Sequence, residues 1–188
     1  MRRSLIACLL VLSALDAYAA GFGLKAGLWE VRVVKQVIDG ADVSAQVAGA
    51  TAQLQQLMAN MPAEQRARID AMLKDKGVSQ GSDGNFRVCV SPEMAKLDKP
   101  IVDQDGHCQP ATIKHSGNKR TYEFNCTANG VTTSGKGEAT IADDLITTQT
   151  DATTKSASAG THVMHNESEM KYLGADCGDV KPSAVPKQ

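Results

Sequence analysis

Aromatic residues are scarce, 4% of the 188-residue chain, with a single tryptophan. A core built from this composition leans on small, β-branched and methionine side chains, so covalent staples gain importance. After the first twenty residues no apolar run approaches the roughly 20 residues needed to cross a bilayer, so the expected mature chain is not membrane-spanning. Charge of one sign is missing as well. The formal net charge is −1, and the balance excludes the basic footprint of a nucleic-acid-binding protein. Catalytic signatures are absent: there is no G-x-S-x-G, no phosphate loop and no H-E-x-x-H. Ser134-Gly135-Lys136-Gly137 is glycine-rich but sits inside a strand pattern. These absences lead to the expectation that the protein is not an enzyme and needs no cofactor.

The chain does carry a leader. Arg2 and Arg3 precede the apolar stretch 5–15, and Ala17-Tyr18-Ala19 forms an A-x-A cleavage site. Residues 1–20 are therefore expected to be removed on export, by the general secretory or the twin-arginine route. Cys8 precedes most of the apolar stretch, the wrong side for a lipoprotein box, and leaves with the leader. Cys89, Cys108, Cys126 and Cys177 remain, and an even count in an exported chain reads as two disulfides. Cys108 and Cys126 lie equidistant from Gly117 in the turn-like SGNKR, so a hairpin centred there sets them opposite each other. Cys89 then pairs with Cys177. Zinc is the rival use, but the chain lacks C-x-x-C and histidines at ligand spacing.

GLWEVRVVKQVID alternates as a half-buried strand, with Trp29, Val31 and Val33 on one side and Glu30 and Arg32 on the other. Asp39-Gly40 turns the chain. The period then becomes helical: Val47, Ala50, Leu54, Leu57, Met58 and Met61 form one stripe, with Ser44 as N-cap. Met61-Pro62 breaks this helix, and Pro62 fits the first position of a second, carrying Ile69, Met72 and Leu73. Gly77 fits its C-terminal stop. The helical insertion spans about 43–77. GVSQGSDG reads as a linker, NFRVCV as a strand, and Ser91-Pro92-Glu93 as the start of a short helix. A meander of strands is expected over 109–115, 119–126, 131–141, 145–154 and 161–173, with Asn129-Gly130 and Asp143-Asp144 at turns. The last two strands are polar on both faces. Gly135 and Gly137 on the inward side of the third imply a bend or a close approach.

His162 and His165 are three apart on a strand, so they point to opposite faces and should not share a metal ion. Glu167 and Glu169 share a face beside Lys171, most simply a solvated surface. Asn125-Cys126-Thr127 and Asn166-Glu167-Ser168 match glycosylation acceptors formally, a match that matters only in a eukaryotic host. Trp29, Leu57, Met58, Met61 and Met72 are candidates to line an apolar groove, or simply core.

GLWEVRV, PAEQRARIDAMLKDKG and VCVSPE, with the later cysteines at strand ends, resemble a family of small exported bacterial proteins catalogued as domain of unknown function 3617. The resemblance runs from about Lys25 to Cys177. Ala26 stands where members commonly have proline before Gly-Leu-Trp-Glu. It implies a bacterial, periplasmic protein, accords with the disulfide reading and assigns no activity and no functional residue.

The expected fold is α+β: a curved antiparallel sheet, a half-barrel-like meander, with an inserted helical hairpin packed on it. Residues 21–177 form the single domain and 178–188 a flexible tail. The expected function is a non-catalytic periplasmic (or extracellular) binding or accessory protein for an apolar ligand, lipid or protein segment. The alternative is a structural or stress-related envelope factor acting through protein contacts. The partner is then a hydrophobic small molecule or an envelope protein.

Overall fold

The computed structural model describes residues 24–81, 84–97, 108–109 and 112–182. The leader and Cys8 lie outside the described residues. Among the described residues nine antiparallel strands form one open sheet in the order β3-β4-β1-β9-β8-β7-β6-β5, with β2 paired to β1. β1 (Gly27–Ile38) returns through Asp39-Gly40 into β2 (Ala41–Asp42). Both turn residues have positive φ, 51° and 82°, the geometry whose twist suits a two-residue hairpin. Helices α1 (Ser44–Asn60) and α2 (Ala63–Asp75) follow, then β3 (Val78–Gln80), β4 (Phe86–Val90) and α3 (Pro92–Ala95). The meander closes the chain: β5 (Thr112–Ser116), β6 (Lys119–Ala128), β7 (Val131–Ala142), β8 (Leu145–Ser156) and β9 (Gly160–Gly174).

The core occupies one end of one sheet face. Leu24, Trp29, Val90, Met94, Tyr122, Ala139 and Ile146 are buried there, with Phe124, Ile141, Met170 and Tyr172 packed around them. Ser91 accepts a hydrogen bond from the Met94 amide and starts α3, which carries Met94 into this core. The two inward glycines of β7 make room for rings. Gly137 pairs with Tyr122 and Gly135 with Phe124, and a Cβ on Gly137 would lie 2.4 Å from the Tyr122 ring. The close approach implied by the glycines is an aromatic side chain from the neighbouring strand.

Several expectations need correction. The two helices follow one another with the break at Met61-Pro62, but neither contains a buried residue. Their apolar stripes are only partly covered: Val47, Met58, Ile69 and Leu73 are half-buried. Leu57 and Met72 are 57% and 59% exposed. α1 faces the sheet with Ser44, Val47, Ala48, Thr51 and Gln55, and Leu54 and Leu57 of the expected stripe are turned roughly a quarter-turn or more away. Ser44 is the first helical residue, not the cap; its amide is taken by the Asp42 carboxylate at 2.9 Å. Pro62 is the cap of α2, one position earlier than expected. The linker contains β3, a short strand whose single pairing with β4 leaves no periodic signal. Among the described residues the first meander strand is Thr112–Ser116, and the Gln109 amide also donates to the Asn125 carbonyl of the next strand at 2.8 Å.

The start of the expected loose tail is also held. Val180 is buried, the Lys181 amide donates to the Lys74 carbonyl at 3.1 Å, Lys181 pairs with Asp75, and Lys74 bonds Asp179. Docking on α2 gives these backbone groups partners that a free tail would find only in water.

Candidate binding groove

β1 pairs with β9 from Leu28 to Ile38, but its other edge is served in two pieces. β4 covers it as far as Val31, opposite Phe86, and β2 takes over at Val37. At Gln36 the amide donates to Ser44 Oγ at 2.9 Å and the carbonyl accepts from the Val43 amide at 2.9 Å. Residues 32–35 have no strand neighbour on that side among the described residues. The register also slips between Val33 and Lys35, a β-bulge, and bulges commonly end or redirect pairing.

Where β4 stops, a groove of about 540 Å³ opens between β1 and α1. Its walls are Val31, Val33 and Val34 from β1, Val47, Ala48 and Ala52 from α1, and Phe86 from β4. The volume falls in the usual range for ligand sites, about 300–1,000 Å³. Three of the polar side chains around it, Ser44, Thr51 and Arg32, have partners. Ser44 Oγ contacts Asp42 at 2.6 Å, and Thr51 Oγ1 donates to the Val47 carbonyl at 3.0 Å. Arg32 pairs with Glu169 at 2.8 Å. Gln55 lies over Gly84, where a Cβ would stand 2.8 Å from its amide nitrogen, so glycine there lets the β3–β4 connection approach α1.

The structure separates the five residues proposed for a groove or core. Trp29 is fully buried core: its ring packs edge-on to Tyr172 at 5.2 Å, and Nε1 donates to the Lys25 carbonyl at 2.8 Å. Leu57 and Met72 are exposed, Met58 and Met61 half-buried, and none of them lines the groove. The valines and Phe86 that do were not singled out as site residues. Their signal was the adjacent pair Val33-Val34, which breaks the alternation of β1 where the bulge falls. Cys89 is bonded to Cys177 and Cys108 to Cys126. The β5–β6 hairpin is centred between Gly117 and Asn118, not on Gly117, and an isolated antiparallel bridge sets Cys108 opposite Cys126.

His162 and His165 lie on opposite faces of β9 and take separate partners. His162 donates from Nδ1 to Asp39 at 2.7 Å and from Nε2 to the Ala159 carbonyl at 2.9 Å. His165 lies between Asp151 at 2.8 Å and Glu167 at 3.2 Å. Both imidazoles titrate above their ordinary value, His162 through the Asp39 hydrogen bond and His165 through Asp151 and then Glu167. Among the described residues no group of three or more His, Cys, Asp or Glu is placed to hold a metal ion. Glu169 with Arg32, and Glu167 with Lys35 at 3.9 Å, form an ionic lattice on the outer sheet face. Beyond it, a polar hollow of about 290 Å³ is lined by Lys114, Glu123, Lys136 and Glu138.

Fold and site together define a disulfide-bearing, open antiparallel-sheet protein with an apolar groove at an interrupted strand edge. No helix among the described residues is long and apolar enough to cross a membrane. The chain belongs to a protein family of unknown function, DUF3617, whose model matches residues 24–177. It is similar to an uncharacterized protein in the lpd-3 5' region of Pseudomonas putida, at 32% identity over 122 residues, 64% of this chain and 79% of the relative. No solved structure matches.

Proposed function

We propose that this protein is a non-catalytic binding protein of the periplasm, holding an apolar ligand in the groove between α1 and β1. The groove itself carries the reading: about 540 Å³ of space walled by Val31, Val33, Val34, Val47 and Phe86, with Ser44, Thr51 and Arg32 at its margin already partnered. Val33, Val34 and Phe86 remain 48%, 44% and 45% exposed, a grouped apolar surface of the kind that marks a binding site. Export is supported by the leader and by the two disulfides, which persist in oxidising compartments. Native mass spectrometry of protein taken from its own periplasm tests the proposal. A reproducible bound mass is expected in the wild type and absent after Val33→Asp. Apo-protein under every growth condition would count against it.

A second reading, an envelope factor acting through protein contacts, is favoured by Leu54, Leu57 and Met72, which expose their side chains on the outer helix surfaces. Loss of a partner on substituting these three residues, with Val33→Asp silent, would favour this reading over the first.

A further inference from the structure

We infer that the occupant of the groove is an extended peptide segment, which adds as a strand to the uncovered edge of β1. The inference rests on the groove being the binding site and names the class of its ligand. Hydrocarbon and peptide differ in what they do for backbone groups. The groove offers few free polar side chains, since Ser44, Thr51 and Arg32 are engaged. What it does offer is the edge of β1 over residues 32–35, with no strand beside it among the described residues once β4 ends at Phe86. A hydrocarbon chain lying there would strip water from those amides and carbonyls that face this edge, and not β9, without replacing it, at about 1–3 kcal/mol for each group left unpaired. A peptide running alongside supplies the missing ladder partners.

The dimensions agree. The uncovered window spans about 13 Å at strand rise, room for one short stretch of extended chain. Its ends are set by Phe86 on one side and by Ser44 on the other. Side chains of an added strand alternate, so every second one enters the space between Val33, Val47, Ala52 and Phe86. The preferred segment therefore alternates apolar and polar residues. It is neutral on its apolar side, because the Arg32 guanidinium is committed to Glu169.

The test uses the full mature protein and a pool of short peptides, each flanked by lysine and alternating Val, Leu or Phe with Thr. The pool is run beside its backbone N-methylated counterpart and beside dodecanol. Binding is read by hydrogen exchange at residues 31–36 and by competition. Peptides are expected to bind and to slow exchange in this window by about tenfold or more, whereas N-methylated peptides fail. Val33→Asp, at an exposed position that spares the fold, should abolish the protection, with an unchanged melting temperature certifying folding. If dodecanol binds at the groove and no peptide does, the peptide assignment is overturned and the groove reading survives. If neither binds and Val33→Asp alters nothing, both are overturned.

Discussion

The two halves of β1 share one strand and one continuous partner, β9, yet differ in almost everything that packs on them. Around Trp29, α3, Tyr172, Val90 and Ile146 close over the sheet and leave the indole with no exposed surface. Around Val33, the strand has lost β4, the bulge has turned the chain, and α1 presents small and polar side chains across a gap. One end has the density of a protein interior and the other is an opening. Rigid support beside a low-density site is what a binding groove needs, because a preorganised floor limits the ordering that binding demands.

The sharpest way to break this contrast is at its packed end. Trp29→Ala should lower unfolding free energy by about 3–5 kcal/mol, because it empties a fully buried site and orphans the Lys25 carbonyl. Val33→Ala should stay within about 0.5 kcal/mol, since the side chain is half exposed and packs on a gap. Urea midpoints at unchanged slope measure both. Comparable losses at the two sites would refute the division.

Next come the staples. Cys89→Ser with Cys177→Ser should cost about 2–4 kcal/mol, because that bond closes a sequence separation of 88 and ties buried Cys89 to the segment holding Val180 on α2. The Cys108–Cys126 bond, with a separation of 18, constrains the unfolded chain less, and its removal should cost less by about 1 kcal/mol. Reversal of that order in denaturant melts would show that native-state strain, and not loop closure, dominates.

A pair of glycines distinguishes the regions with opposite signs. Gly137→Ala forces a methyl against the buried Tyr122 ring, whose hydroxyl is held by Thr150 Oγ1 at 2.7 Å, so a loss of about 1–3 kcal/mol is expected. Gly49→Ala meets nothing within 4 Å and lies inside α1, so it should gain about 1 kcal/mol from helix propensity. If Gly49→Ala were destabilising, this face of α1 would be covered and not open.

How much of this was readable beforehand divides along the same line. The alternation of GLWEVRV, the D-G and N-G turns and the Ser91-Pro92 helix start are local signals, and local physics decided them. The family resemblance, too, matches the membership established for residues 24–177. The groove is not local. It depends on β4 beginning at Phe86 and β2 at Ala41, two registers set by distant pairing. The rotation of α1 is set by Asp42, Ser44 and Gln36, which fasten its first turn, not by its stripe of leucines. Periodicity identified an apolar face on each helix but could not tell that α1 would turn Val47, Thr51 and Gln55 toward the sheet and leave Leu54 and Leu57 exposed.

The smallest expected effect lies at the tip of the loose half and is a matter of protonation. His162 has an acceptor at each ring nitrogen, the Asp39 carboxylate and the Ala159 carbonyl, so only the imidazolium satisfies both. Asp39 also accepts from the Val163 amide at 2.8 Å, and its carboxyl titrates below the usual range through the His162 hydrogen bond. The cluster thereby fastens the β1–β2 turn to β9. The folded-state value of His162 is raised above the unfolded value of about 6.5. Its stabilisation is thus fully present below pH about 6.5 and is lost as pH rises through the folded-state value. Around His162 the charged partner is Asp39; around His165 they are Asp151 and Glu167, with Lys35 beyond and Lys136 paired across from Asp151. Thermal melts of wild type and His162→Gln should therefore differ at pH 5 and converge in the alkaline range. Exposure of the pair keeps the difference small, and added salt should shrink it further. A gap independent of pH would mean that His162 acts by shape alone, leaving the turn to its backbone bond from the Asp39 amide to the Val163 carbonyl.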